Sequence, residues 1–476
     1  MRRRKLLWGA IATTGSVLLA RCATLPPSPP ARSRIISQSG EFATDLTVAE
    51  AWQPLAGRQA RLLSYNGQVP GPLLEMNAGD RVQLRLHNRL SQPTNLHFHG
   101  LHIPPTGQAD NVFRVAAPGE TLDYAFDLPP GHPGGLFWYH PHYHGTVAEQ
   151  VFGGLAGPLI VRGAIDQVPE IQAAEEAVLV LQDFDLDRRG DRREPMPMFR
   201  RWGREGDLIT VNGDRPPQLP LPQNGLLRLR LLNASASRIY RLRLQNHPWH
   251  LIGLDGGSLP APAEIDELIL APGERADLLV AGQRDPAAYH LVSLPYDRGI
   301  ADMMHGMGHH GQRGDRDNTA PQPLATLTYT EASTPAPLPT ELIPVVTPGE
   351  PIRRREFILD HGIHQGQFFL INGRGFDHQR IDTRVQLGTV EDWHILNKAG
   401  MDHPFHLHTN GFQVLRRDGQ PVADPVWKDT VNIPAYGSVD LRVAFADFPG
   451  VTVYHCHILD HEDQGMMGQI EMQPSA

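Results

Sequence analysis

The chain has 476 residues and a formal net charge of −9, which becomes −14 if residues 1–21, with five positive and no negative side chains, are removed. So acidic a body argues against nucleic acid or an anionic membrane as partner. Abundant Gly (46) and Pro (43) suit short strands and turns rather than long helices, and the two cysteines leave no structural disulfide.

In chain order, residues 1–22 read as an export signal. Arg2-Arg3-Arg4-Lys5 form a basic start, and Leu6 to Ala20 an apolar stretch too short for a membrane span. Consecutive arginines ahead of it resemble a twin-arginine signal, a route for proteins exported already folded with cofactor. A periplasmic or cell-envelope protein is therefore expected. Cys22 offers a lipid-attachment point, although Arg21 stands where such sites carry a small residue.

One strand is then written three times: Arg81 to Asn88, Leu227 to Asn233 and Val390 to Asn397. The first two alternate apolar and polar, the period of a half-buried strand. A turn follows each: Ala117-Pro118-Gly119-Glu120, Ala271-Pro272-Gly273-Glu274 and, more loosely, Pro434 to Ser438. Three all-β Greek-key sandwiches or barrels are predicted, at 33–164, 165–332 and 352–474, with a Pro-rich linker at 333–351.

The repeats also carry histidines. After Asn88 come His97 and His99, then His140-Pro141-His142; after Asn397 come His403, His406 and His408. Each His-x-His puts two imidazoles on one side of a strand. After Asn233 come His247 and His250, which have no later cysteine partner in their unit and read as structural or surface residues. The middle unit is thus expected to act mainly as a spacer.

Residues 455–467 run His-Cys-His-Ile-Leu-Asp-His-Glu-Asp-Gln-Gly-Met-Met. A thiolate at Cys456, an imidazole at His461 and a thioether at Met466 are three parts of a His₂Cys blue-copper site with a weak axial Met, the second His coming from elsewhere. In an extended segment His455 and His457 face away from the metal on Cys456 and are free for other ions. Altogether ten histidines, one cysteine and one methionine are on offer.

This arrangement resembles the multicopper oxidases, closest to bacterial laccases, through Trp138 to His142, Met401 to His408 and the 455–467 run. The resemblance implies three cupredoxin-like domains and four copper ions. It assigns His403, Cys456, His461 and Met466 to a type 1 copper, and His97 and His406 to type 2. The type 3 pair would take His99, His140 and His457 on one ion and His142, His408 and His455 on the other. It implies one-electron oxidation of phenols or similar small donors coupled to four-electron reduction of O₂ to water, by a monomer. The exposed edge of His461 or His403 is expected to admit electrons. Asp110 and Glu462 match acidic positions the family uses beside the oxygen-reducing cluster; the bland readings are a loop-capping aspartate and a glutamate that orients a ligand histidine.

Two alternatives stay open. Asp302 to His310 collects three methionines and three histidines, which suit Cu(I) as substrate or serve as a plain surface lid. Met401 matches a substrate-copper ligand of cuprous oxidases, but its acidic partner two residues earlier is Ala399 here. A non-enzymatic envelope protein on the same fold is the other alternative.

Overall fold

The computed structural model describes residues 33–196, 199–299, 320–332, 335–423 and 425–474. The leader, Cys22 and the segment 302–310 lie outside them. Residues 34–162 form two sheets. One runs Arg58–Tyr65, Glu41–Leu55, Arg81–Asn88, Thr121–Asp127; the other Arg34–Ile36, Leu73–Asn77, Gly157–Arg162, Gly135–His140, His97–His99. Along Arg81–Asn88 the apolar residues Val82, Leu84 and Leu86 are buried between the sheets and the alternate residues Arg81, Gln83 and Arg85 are exposed. This alternation puts the apolar face inward.

Two further sheet pairs follow, from residues 175–332 and 353–473, each around its own apolar core. The chain is all-β with cupredoxin-like domains, as the alternation and repeats predict.

The repeated strand occupies the same place each time. Arg81–Asn88, Leu226–Asn233 and Thr389–Asn397 each pair in parallel with an early strand of their domain (Glu41–Leu55, Glu175–Phe184 and Arg353–His364) and antiparallel with the strand that follows the Pro-Gly-type turn. Each ends in a buried asparagine that works as a bracket. The side-chain oxygens of Asn88, Asn233 and Asn397 accept the N–H two residues on. Their amides donate to carbonyls of the loop ahead and of the distant turn: Gln92 and Ala116, Arg238 and Leu270, Met401 and Ile433. In the first and third domains the loop so held leads straight into the strands His97–His99 and His403–Leu407.

The domains are joined by direct hydrogen bonds. Asp463 of the third domain accepts backbone N–H groups of Gly145, Val147 and Ala148, at the start of the short helix Val147–Phe152. The Pro-rich connection is pinned at intervals: Leu342 N–H bonds to the Pro260 carbonyl, and the Val346 carbonyl accepts from Gln413 and Trp427.

Candidate metal centre

The sulfur site is built by one strand, one helix turn and one neighbouring strand. Cys456 ends the strand Gly450–Cys456, and His461 sits in the helix Leu459–Asp463. Gly465 (φ +115) then lets the chain turn back, so that Met466 N–H reaches the His461 carbonyl and the Met466 carbonyl accepts from Cys456 N–H. His403 arrives on the strand His403–Leu407, paired antiparallel to Gly450–Cys456 with Phe405 opposite Cys456. The three donor atoms form a triangle: His403 Nδ1 to Cys456 Sγ 3.3 Å, His461 Nδ1 to Sγ 3.7 Å, and Nδ1 to Nδ1 3.2 Å. All three residues and Met466 are buried. Burial drives both imidazole pKa values down and the thiol's up.

The other histidines meet where the first and third domains face each other. His142 Nε2 lies 3.2 Å from His455 Nε2, His408 Nε2 3.1 Å from His455 Nε2, and His406 Nε2 3.4 Å from His97 Nε2. His97, His99 and His140 hold donor atoms within 4.8 Å of one another, as do His142, His408 and His455. His457 closes the group, its ring centre 5.0 Å from that of His99, with both ring nitrogens unpartnered.

The residues fit metal. In ring after ring one nitrogen is engaged by a fixed acceptor: His97 Nδ1 by Asp110, His99 Nε2 by Asp429, His140 Nδ1 by the Pro141 carbonyl, His406 Nδ1 by the Asp429 carbonyl, His455 Nδ1 by the Cys456 carbonyl. The acceptor fixes the tautomer, so the second nitrogen presents a lone pair. His99 Nδ1 and His140 Nε2 are buried without a hydrogen-bond partner. Lone pairs facing each other across little more than 3 Å in a dry interior repel unless a cation lies between them.

Besides Asp429, two carboxyl groups flank this cluster. Asp110 is 2.9 Å from His97 Nδ1 and accepts Phe98 N–H; burial pushes it up to about 8, against the lowering effect of that N–H. Glu462 is wholly buried, with its oxygens 3.1 Å from His455 Nδ1 and 3.5 Å from His142 Nε2, and burial holds it well above the usual carboxylate range. Among the described residues His247 and His250 join no cluster of donors; His247 bonds Tyr329 and the Pro248 carbonyl instead.

Models of multicopper oxidase domains match residues 47–165, 185–314 and 351–476. A multicopper oxidase of Staphylococcus haemolyticus is 30% identical over 419 residues, covering 86% of this chain and 83% of that protein. The chain belongs to the multicopper oxidase family. A cell division protein FtsP of Yersinia pestis is 32% identical over 447 residues, covering 89% of this chain and 88% of that one. Among solved structures, a Campylobacter jejuni multicopper oxidase described as a metallo-oxidase superposes with a TM-score of 0.81 at 30% identity, covering 93% of this chain and 96% of that one. A laccase-like multicopper oxidase of an Ochrobactrum species gives 0.79 at 27%, covering 93% and 100%.

The structure corrects two expectations for this multicopper oxidase. First, the middle domain is more than a spacer. Its Arg275 reaches Asp429 of the third domain with bonds of 2.7 and 2.6 Å, and Asp429 holds His99 of the first at 3.0 Å. Asp255 accepts the N–H groups of Arg275 and Asp429 and lies 3.1 Å from Lys428 Nζ. A Cβ on Gly273 (φ +85) would stand 3.0 Å from the rings of His457 and His99. The turn Ala271 to Glu274 is visible in the sequence as a repeat, but nothing there shows that it abuts the cluster.

Second, neither type 1 histidine candidate reaches solvent. His403 and His461 are both wholly buried. A short turn from the middle domain, Phe199–Trp202, crosses over His461, whose Nε2–H donates to the Arg201 carbonyl at 3.1 Å. Phe369 stacks on the same ring at 3.9 Å. Beside the eight-histidine cluster lies a shallow cleft lined by Val112, Phe113, Phe376, Val453 and Met467 together with His142, His144 and His378.

Proposed function

We propose that this multicopper oxidase is a laccase-type enzyme that takes single electrons from phenolic or similar small donors and reduces O₂ to water. The carrying observation is the alternation at residues 455–457. Cys456 faces His403 and His461, while His455 on its one side lies with His142 and His408 and His457 on its other lies near His99 and His140. His403, Cys456, His461 and Met466 would hold the type 1 ion, His97 and His406 the type 2 ion, and the remaining six histidines the type 3 pair. Four bound copper ions would supply the one-electron chemistry and the four-electron capacity that side chains lack.

The chain's own residues do the rest. Backbone bonds from Cys456 to its two neighbours give the shortest covalent path between the two sites. Reduction of O₂ to two waters consumes four protons, and Asp110 and Glu462, the carboxyl groups at the cluster that no Arg or Lys among the described residues neutralises, would pass them. The cleft at His142 would admit O₂ on a side of the protein away from the cover over His461. The domain limits 33–164, 165–332 and 352–474 fit this reading. Export by the leader fits it too; among the described residues no helix is long and apolar enough to cross a membrane.

The Campylobacter relative motivates a second reading, oxidation of Cu(I) or another low-valent metal ion. Against it, Ala399 supplies no acidic partner beside Met401, and Met401 is wholly buried in the third domain's core. Similarity to FtsP motivates a non-enzymatic role in the envelope, and the full donor set weighs against that. O₂ uptake by copper-loaded protein, offered a phenol and then Cu(I), tests all three. Uptake with Cu(I) alone overturns the laccase reading, and uptake with neither leaves the envelope role.

A further inference from the structure

Because His461 is buried, an outside donor meets whatever lies over it, and that cover has a definite chemistry. Arg201 takes part in that cover in two ways. Its carbonyl accepts the ring N–H, and its guanidinium lies 4.6 Å from the centre of Phe368. Phe368 packs edge to face on Phe369 (5.1 Å, 87°), the ring stacked on His461. The Arg201 side chain is exposed and Phe368 partly so.

The neighbouring guanidinium groups are already matched. Arg200 lies 3.6 Å from Glu194, Arg204 2.9 Å from Asp460, and Arg298 3.1 Å from Glu205. Among the described residues Arg201 has no carboxylate partner. A cation left unmatched on a chain of net charge −9 makes a local attraction for anions on a surface that otherwise repels them. A guanidinium presents a planar fork to a carboxylate or sulfonate, and the part of Phe368 left open beside it offers a ring apolar contact.

We propose that Arg201 and Phe368 form the electron-donor site, and that it selects an aromatic ring bearing a negative charge. This rests on the phenol-oxidising reading and narrows it. A phenol docked there loses one electron towards His461 and its hydroxyl proton to water, leaving a phenoxyl radical with its anionic group unchanged. Cu(I), a cation, is repelled by the same residue.

Two measurements on copper-loaded protein test this. Calorimetry with 4-methoxybenzoate and 4-methoxybenzamide, which have no phenolic hydroxyl, reads binding without turnover. The benzoate should bind about tenfold more tightly than the amide at low salt and lose that advantage at high ionic strength, as screening requires. In Arg201→Gln the two should bind alike, and Arg201→Lys should restore part of the difference. In turnover, kcat/KM for 3-(4-hydroxyphenyl)propionate should fall about tenfold relative to that for its amide. Unchanged blue absorption in Arg201→Gln would show that the backbone bond to His461 persists. Equal binding of benzoate and benzamide to the wild type overturns the proposal, as does an equal loss of both in the variant. If Cu(I) drives O₂ uptake and neither phenol does, the laccase reading falls, while the calorimetry still decides on Arg201.

Discussion

Arg275 and Asp429, from different domains, form a buried two-pronged ion pair, and the Asp429 carboxylate that receives it also fixes the ring of His99. Three domains thus converge on one imidazole. The pair ties domain docking to the orientation of a candidate ligand.

Breaking this pair from one side leaves a buried charge without compensation. Arg275→Met or Asp429→Asn should each destabilise the protein by about 3 to 5 kcal/mol, and the double variant by less than the sum. Each single variant should also lose copper from the eight-histidine cluster before the type 1 ion. Denaturant midpoints and copper content of the purified variants check this; a loss below about 1 kcal/mol would mean that the pair is not coupled to docking.

Cys456→Ser removes the thiolate but none of the ten candidate ligand histidines. The blue colour, which comes from thiolate bound to copper, should vanish, and turnover should fall below about 1% of wild type, a loss of more than about 2.7 kcal/mol in transition-state stabilisation. The histidine cluster should still take up copper, as read by metal analysis and paramagnetic resonance. Complete loss of copper would show that the two sites are structurally inseparable.

Met466→Leu should keep the colour, because the three strong donors remain. Losing a weak axial sulfur disfavours the oxidised ion, so the reduction potential of the site should rise. Redox titration of the blue absorption measures it. A fall, or no change, would move the axial role to Met467.

His132 lies away from the metal candidates and gives a clean pH test. Its Nε2 accepts the His102 N–H at 3.0 Å, its Nδ1–H donates to the Pro133 carbonyl, and burial lowers its pKa to about 4. The unfolded chain therefore binds this proton at higher pH than the folded one. Its contribution is complete above about pH 6.5 and is lost as pH falls towards 4, by about 1.4 kcal/mol per unit. Copper-loaded His132→Gln should show a shallower loss of stability across that window than wild type. Identical slopes would count against a neutral, buried His132.

The three repeated strands were legible because burial between two sheets imposes a period of two on the sequence, and Arg81 to Asn88 shows it residue by residue. The histidine and cysteine clusters were legible because the donor atom is the chemistry, and Cys456 between His455 and His457 needs only strand alternation to face two ways. Asp255, Arg275 and Asp429 were not, because their meeting depends on how domains dock and obeys no spacing rule. Nor was the cover over His461. Its hydrogen-bonding atom is the Arg201 carbonyl, which any residue type supplies.

The asparagine brackets bear on how the protein takes up copper. Asn88 and Asn397 tie the histidine-bearing loops with side-chain amides, and Asn233 makes the same bracket in the middle domain, where no metal donors gather among the described residues. The bracket therefore does not need an ion to form. Loops held in this way keep their geometry before loading, so binding has little chain entropy to overcome. The same stiffness means that each change of oxidation state finds the donors already in place, and the reorganisation energy of electron transfer stays low.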